Sequence, residues 1–226
     1  MNRISTTPPS SAAYASNVRT IGLIFLIGLA GFGWLYFSVM SQSGLAVFDE
    51  PLHTWLVLHR TLPITNVMEV ITNVMAPTYV AIFSIAGALL WGWRKKEAWR
   101  PTLLIGAMGI TLIVTAFFKD IIARERPSPG QMIPPLELDY SFPSGHTIGI
   151  AVGVFVLGYL LYSRTRSKKT LYSMVTLSIV GIALIALSRL YLGYHWLTDV
   201  SASVALALII LAAVMLIDRY KPKNIV

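Results

Sequence analysis

Eight residues in this 226-residue chain have the types and spacing to do chemistry: Lys119, Arg126, Ser144, Gly145, His146, Arg189, His195 and Asp199. Lys119, Arg126 and Arg189 are three cations able to surround a multiply charged anion. Arginine offers phosphate oxygens a planar fork and lysine a point charge. Ser144-Gly145-His146 reads as the opening of a helix, where free N–H groups and the helix dipole favour an anion. Gly145 lets the backbone come close. His195 and Asp199 are four apart and share one helix face. Asp199 can accept from one imidazole nitrogen, which fixes the tautomer and leaves the other nitrogen free to attack. His146, from a different helix, is suited to protonate a leaving oxygen. A phosphate cradle, a nucleophile with its orienter and a general acid are what phosphoryl transfer demands.

The elements that must position these groups are membrane spans. Of the residues, 55% are hydrophobic and 12% charged, with mean hydropathy +0.68. An ordinary soluble domain carries about 25% charge, so a water-soluble globular enzyme is excluded. With no cysteine, disulfides, thiolate nucleophiles and Cys-based metal sites are excluded too. A spanning helix needs about 20 apolar residues. Six stretches meet or approach this: 21–40, 70–93 with a kink at Pro77, 101–118 opening on Pro101, 146–162, 171–188 and 196–217. The first run is too long for a cleaved signal peptide and is expected to stay as a span. The expected fold is all-α, a single domain over 1–226 with six spans. The Ser/Thr/Pro-rich segment 1–18 is expected to be disordered.

Charge placement orients the spans. With the N-terminus inside, 13 of the 18 Lys and Arg fall in inside segments and five outside: Arg60, Lys119, Arg124, Arg126 and Arg189. Both termini are therefore expected in the cytoplasm. The net charge of +8 divides into a strongly basic inside and a slightly acidic outside, a topology signal rather than a nucleic-acid footprint. Trp and Tyr near the span ends form the expected interfacial belts. Residues 45–60 place Phe48, Leu52, Trp55 and Leu56 on one helical face, which predicts a short amphipathic helix on the outer surface in the first outer loop. The loop 119–145 is the longest outside and rich in proline. All eight chemical residues then lie at one depth, the outer boundary. A lone Lys or Arg at a span end is usually a snorkelling anchor; two His, one Asp, three cations and a Ser-Gly turn at one level are not.

The chain reads Lys119-x6-Arg126-Pro127, then Pro143-Ser144-Gly145-His146, then Ser188-Arg189-x5-His195-x3-Asp199. This resembles the three-part signature of the type 2 phosphatidic acid phosphatase superfamily of membrane lipid phosphatases, which includes glucose-6-phosphatase and, more distantly, vanadium haloperoxidases. Eleven specified positions match, and they occupy 119–199. The resemblance implies that His195 attacks phosphorus and forms a phosphohistidine, that Asp199 orients it, and that His146 protonates the leaving lipid alcohol and then activates water. Lys119, Arg126, Ser144, Gly145 and Arg189 would bind the phosphoryl oxygens. The family needs no metal and no cofactor, and the sequence holds no carboxylate cluster beside the motifs to hold Mg²⁺.

The short loops are similar to those of small bacterial members, which implies phosphatidylglycerophosphate as substrate in a bacterial inner membrane, with the active site outside. Undecaprenyl diphosphate, and phosphate transfer to a second lipid, are the alternatives. An anion transporter is the alternative from another class, disfavoured because transporter sites lie near the bilayer midplane. Substrate lipid and bilayer are the only partners implied. Several residues are given blander roles: His53 and His59 as interfacial polar groups, Gly149 and Gly153 as close helix packing, Tyr191 and Tyr194 as belt or packing residues. Arg124 is weighed as a headgroup contact against being solvated or internally paired, and Glu125, Glu137 and Asp139 in the same loop are read as solvated or internally paired. Tyr140 and Phe142 are weighed as lining the substrate's way in.

Overall fold

The computed structural model describes residues 11–220, and among them all regular structure is helical. Eight α-helices follow in chain order: α1 Ser11–Ser41, α2 Asp49–Leu58, α3 Leu62–Val74, α4 Pro77–Lys95, α5 Trp99–Ile122, α6 Gly145–Thr165, α7 Lys168–Tyr191 and α8 Leu197–Arg219. Residues 1–10, part of the segment expected to be disordered, lie outside the described residues; 11–18 form the first turns of α1.

Five helices are long and apolar enough to cross a membrane by themselves: α1, α5, α6, α7 and α8. α3 and α4 are long and apolar enough only as a pair, bent by 46° at their junction, which gives five to six candidate spans. Pro77 was expected to kink one helix. It ends one and starts another, because proline cannot donate the N–H that a continuing helix needs but fits the first turn of a new one. Pro101, expected to open the third span, lies in the first turn of α5.

Apolar side chains turned outward ring the bundle. Leu23 and Phe37 on α1, Phe83 on α4, Ile113 on α5 and Ile179 on α7 are all more than half exposed, a surface that suits lipid and not water. Inside, α8 is the central helix. It packs along α1 and against α6, and α6 in turn contacts α5, α7 and α4. α1 and α8 approach closely at Gly28 of α1, where a Cβ would lie 2.8 Å from the Ala205 carbonyl of α8. Gly149 and Gly153 do not have the close-packing role expected of them. A Cβ on Gly149 would meet nothing within 4 Å and one on Gly153 only Val80, at 4.0 Å, and both residues border cavities.

The helix predicted over 45–60 is present as a 3-10 turn, Gly44–Phe48, followed by α2. Its expected apolar face is divided. Leu56 is buried, whereas Phe48 and Trp55 are exposed, and the polar Asp49 and His53 point inward. His53 is therefore not an interfacial group: its Nε2 lies 3.0 Å from Gln131 Oε1. Tertiary partners, not local hydrophobicity, set the orientation of this helix.

Candidate active site

Antiparallel neighbours joined by a loop bring the C-terminal ends of α5 and α7 to the same end of the bundle as the N-terminal ends of α6 and α8. All eight predicted residues gather there. The turn from α7 to α8 is tight, and Gly193 adopts φ +82° within it. A Cβ there would lie 2.8 Å from both Arg60 Nη2 and the Gln131 carbonyl, so glycine serves both the backbone conformation and the space. Arg60 staples the turn, donating to the Tyr191 carbonyl at 2.8 Å and the Gln131 carbonyl at 2.6 Å. His195 follows directly and is buried.

Two neighbours fix the tautomer of His195. Its Nδ1 lies 3.2 Å from Asp199 Oδ2, and its Nε2 lies 3.3 Å from Arg126 Nη1. A carboxylate only accepts and a guanidinium only donates. Nδ1 therefore carries the proton, and Nε2 carries the lone pair. Burial, then the charges of Arg126 and Arg189, hold this imidazole well below its usual pKa, so it stays neutral. Asp199 is at the third position of α8, and its Oδ2 also accepts the Trp196 N–H at 2.9 Å. The carboxylate that faces His195 thus also caps its own helix.

The three cations converge, each with carboxylate partners from the loop between α5 and α6. Lys119 donates to Asp139 Oδ2 at 2.5 Å and to the Tyr140 carbonyl. Arg126 pairs with Glu137 at 2.8 Å and with Asp139, and donates to the Tyr194 carbonyl at 2.6 Å. Arg189 pairs with Glu137, donates to Thr72 Oγ1 at 2.9 Å, and lies 4.2 Å from the centre of the Tyr194 ring. Its Nε has no hydrogen-bond partner. Burial by itself raises the Asp139 carboxyl, but hydrogen bonds and charges from Lys119 and Arg126 overcome it and bring its pKa down to about 2. The same balance, led by Arg189, lowers Glu137. Both carboxylates are ionised at neutral pH.

Ser144 is the N-cap of α6, with its Oγ accepting from the Thr147 N–H at 3.4 Å and the Thr147 hydroxyl at 3.1 Å. A hydroxyl has one proton to give and two lone pairs, so Ser144 keeps its donor beside the free amides of the helix end. Gly145, Lys119 and Asp139 border one apolar cavity of about 260 Å³ that runs between α4, α5 and α6. His146, next in α6, is half-buried and lies in the field of Arg189, Arg126 and Lys119. Ser203 of α8 joins the two motif helices: its hydroxyl lies 2.8 Å from the Asp199 carbonyl and 3.1 Å from the Ser144 carbonyl. Among the described residues no three His, Asp or Glu side chains gather to hold a metal.

Arg124 does not face a headgroup. It turns into the protein, donating to Asp199 Oδ1 and Thr198 Oγ1 at 2.5 Å each and to Asp49 Oδ2 at 2.6 Å. Phe142 does not line a way in either; it is fully buried, with its ring centre 5.9 Å from that of Phe32. Tyr140 is exposed, and Tyr191 and Tyr194 are buried packing residues. Sequence reasoning missed Asp49, Thr198, Ser203 and Thr72 altogether. Only an unusual polarity on apolar elements marked them.

A sequence model of the PAP2 superfamily matches residues 100–223, the segment that holds all three motifs. The chain is 29% identical over 167 residues to phosphatidylglycerophosphatase B of Bacillus subtilis (strain 168), covering 72% of this chain and 79% of that protein. It is 32% identical over 119 residues to an undecaprenyl-diphosphatase of Sulfolobus acidocaldarius, covering 51% of this chain and 53% of that protein. Among solved structures, the fold is similar to that of a transmembrane PAP2-type phosphatidylglycerolphosphate phosphatase from Bacillus subtilis. The TM-score is 0.73 at 25% identity, covering 88% of this chain and 99% of that one.

Proposed function

Because the chain belongs to the PAP2 superfamily, we propose that it is an integral-membrane lipid phosphate phosphatase that hydrolyses phosphatidylglycerophosphate to phosphatidylglycerol. The observation that carries this is His195, a neutral buried imidazole whose Nε2 lone pair lies at the edge of a cluster of three cations. The relatives act on lipid phosphates, and the ring of outward apolar side chains places the chain in a bilayer.

In the proposed reaction, Lys119, Arg126 and Arg189, with the Ser144 hydroxyl and the Gly145 amide, bind the phosphoryl oxygens. Nε2 of His195 attacks phosphorus, the bond to the lipid oxygen breaks, and His146 gives that oxygen its proton. Water then gives a proton to His146 and attacks the phosphohistidine. The P–N bond breaks, and inorganic phosphate leaves. Asp199 holds the Nδ1 proton throughout and stabilises the positive ring. The fixed donors match the charge on the equatorial oxygens. The 13-to-5 bias of basic residues supports cytoplasmic termini and an active site outside a bacterial inner membrane, with α2 at the outer lipid interface.

A second substrate, undecaprenyl diphosphate, is favoured by the Sulfolobus acidocaldarius relative. Comparing kcat/KM for phosphatidylglycerophosphate, undecaprenyl diphosphate and phosphatidic acid in one detergent tests the assignment. Release is expected to be highest for the first, unchanged in EDTA and inhibited by vanadate. Preference for the second would overturn the choice of substrate. No release from any of them by folded protein would overturn the phosphatase.

A further inference from the structure

We propose that Arg124 and Asp49 are positioning residues for phosphoryl transfer, together holding Asp199 in the one orientation that presents Oδ2 to His195. This rests on His195 being the nucleophile of the reaction above. The geometry is a closed set of charge-assisted hydrogen bonds. Arg124 bridges two buried carboxylates, with Nη1 on Asp199 Oδ1 at 2.5 Å and Nη2 on Asp49 Oδ2 at 2.6 Å. Thr198 closes the ring, with its Oγ1 accepting from Arg124 and donating to Asp49 Oδ2 at 2.6 Å. Asp49 Oδ1 accepts the Thr198 N–H at 3.0 Å. A carboxylate from α2 thus sits on the N-terminus of α8, where free amides and the dipole favour it.

A carboxylate rotates about its Cβ–Cγ bond unless both oxygens are held. In Asp199 the Trp196 N–H holds Oδ2 and Arg124 holds Oδ1, so the plane is fixed. The guanidinium is itself fixed by Asp49 and by the Trp196 ring, whose centre lies 5.6 Å from Arg124 Cζ. The charges count the same way. Asp49, Arg124 and Asp199 sum to minus one, so a positive His195 ring makes the cluster neutral. A buried Arg124 facing Asp199 without Asp49 would cancel the charge that the reacting histidine needs. The two residues come from separate elements, 75 positions apart in sequence, so the arrangement is tertiary and not a local loop contact.

The experiment uses the full-length protein in detergent, with phosphate release from phosphatidylglycerophosphate, and compares Arg124→Gln, Arg124→Lys, Asp49→Asn, Asp199→Asn and the double variant Arg124→Gln/Asp199→Asn. Arg124→Gln is expected to lower kcat by about 30-fold with KM changed less than about threefold, the mark of an interaction needed in the transition state. Arg124→Lys should recover part of the loss. In the Asp199→Asn background, adding Arg124→Gln should cost less than about threefold, because two residues acting through one group are not additive.

The acid limb of the kcat/KM profile should move to higher pH in Arg124→Gln, where the two carboxylates are left uncompensated, and should not do so in Asp49→Asn. The groups facing His195 are otherwise unchanged: Asp199 on α8, Arg126 and Glu137 in the loop, Lys119 on α5, His146 on α6 and Arg189 on α7. Additive losses, losses in KM alone, or an acid limb that stays fixed would mean that Arg124 only holds the fold, and would overturn the proposal. So would an Arg124→Gln protein with unchanged kcat. If Arg124→Gln does not fold, Asp49→Asn is compared in the wild-type and Asp199→Asn backgrounds: a loss in kcat that nearly vanishes in the second background is expected, and equal losses in both would overturn the proposal. Wild-type protein that is folded but releases no phosphate would instead overturn the phosphatase reading on which this rests.

Discussion

Glu137 and Arg189 form an ion pair inside the cation cluster, a partly exposed loop carboxylate against a guanidinium whose side chain is 1% exposed. Glu137 also reaches Arg126, and Asp139 takes Lys119 and Arg126. The loop between α5 and α6 thus supplies anionic oxygens to the three cations proposed to bind phosphate. The two carboxylates offset the mutual repulsion of the three cations, and a phosphoryl group binding the same cations would compete with them.

Glu137→Gln should therefore bind anions more tightly. Inhibition by orthophosphate and vanadate is expected to strengthen about three- to tenfold, with a lower KM for lipid phosphate, because a competing charge is lost while the cations stay. Unchanged or weaker inhibition would show that Glu137 does not compete for the site. The kinetics of inhibition by both anions, measured beside wild type, decide it.

The pH dependence follows from His195. Burial, then Arg126 and Arg189, hold its pKa well below the ordinary value near 6.5. The reactive neutral form thus persists in mildly acid solution, and the acid limb of kcat/KM belongs below about 6.5. Stability has the same sign. Below about 6.5 an unfolded His195 takes a proton that the folded protein refuses, so stability falls as pH drops through that range. His195→Gln should remove that part of the slope in melting temperature against pH. An acid limb above the ordinary imidazole value would contradict the geometry.

Gly193→Ala tests the turn that delivers the nucleophile. At φ +82°, with Arg60 and Gln131 each 2.8 Å from the added Cβ, the substitution is expected to cost about 1–3 kcal/mol. It should lower both melting temperature and kcat, since His195 lies two residues on. A protein with unchanged melting temperature and activity would show that the turn tolerates a side chain.

The eight motif residues were legible in the sequence because their spacing is local: His195 and Asp199 are one helical turn apart, and Ser144 caps the helix that Gly145 opens. Five of the six expected spans were legible from apolar length; over 70–93 Pro77 separates two helices, which pass as a span only as a bent pair. Arg124 was not legible. Its loop position permitted a headgroup contact, and only the fold shows that Asp49, 75 residues away, and Asp199 claim its guanidinium. The buried side of α2 was not legible for the same reason: Asp49 and His53 turn inward to Thr198 of α8 and to Gln131 in the loop between α5 and α6. Glu137 and Asp139 looked like ordinary loop charges because their helical partners, Lys119 on α5 and Arg189 on α7, lie 20 and 52 positions away in sequence.

The central claim is that Nε2 of His195 is the nucleophile. The direct measurement is acid-sensitive, base-stable phosphate bound to protein, trapped by rapid quench during turnover of radiolabelled lipid phosphate and mapped by peptide analysis. The label is expected on His195 in wild type, to accumulate more in His146→Ala if that residue activates the hydrolytic water, and to be absent from His195→Gln, whose kcat should fall by about a thousandfold or more. Steady turnover with no label, or label persisting in His195→Gln, would contradict the account.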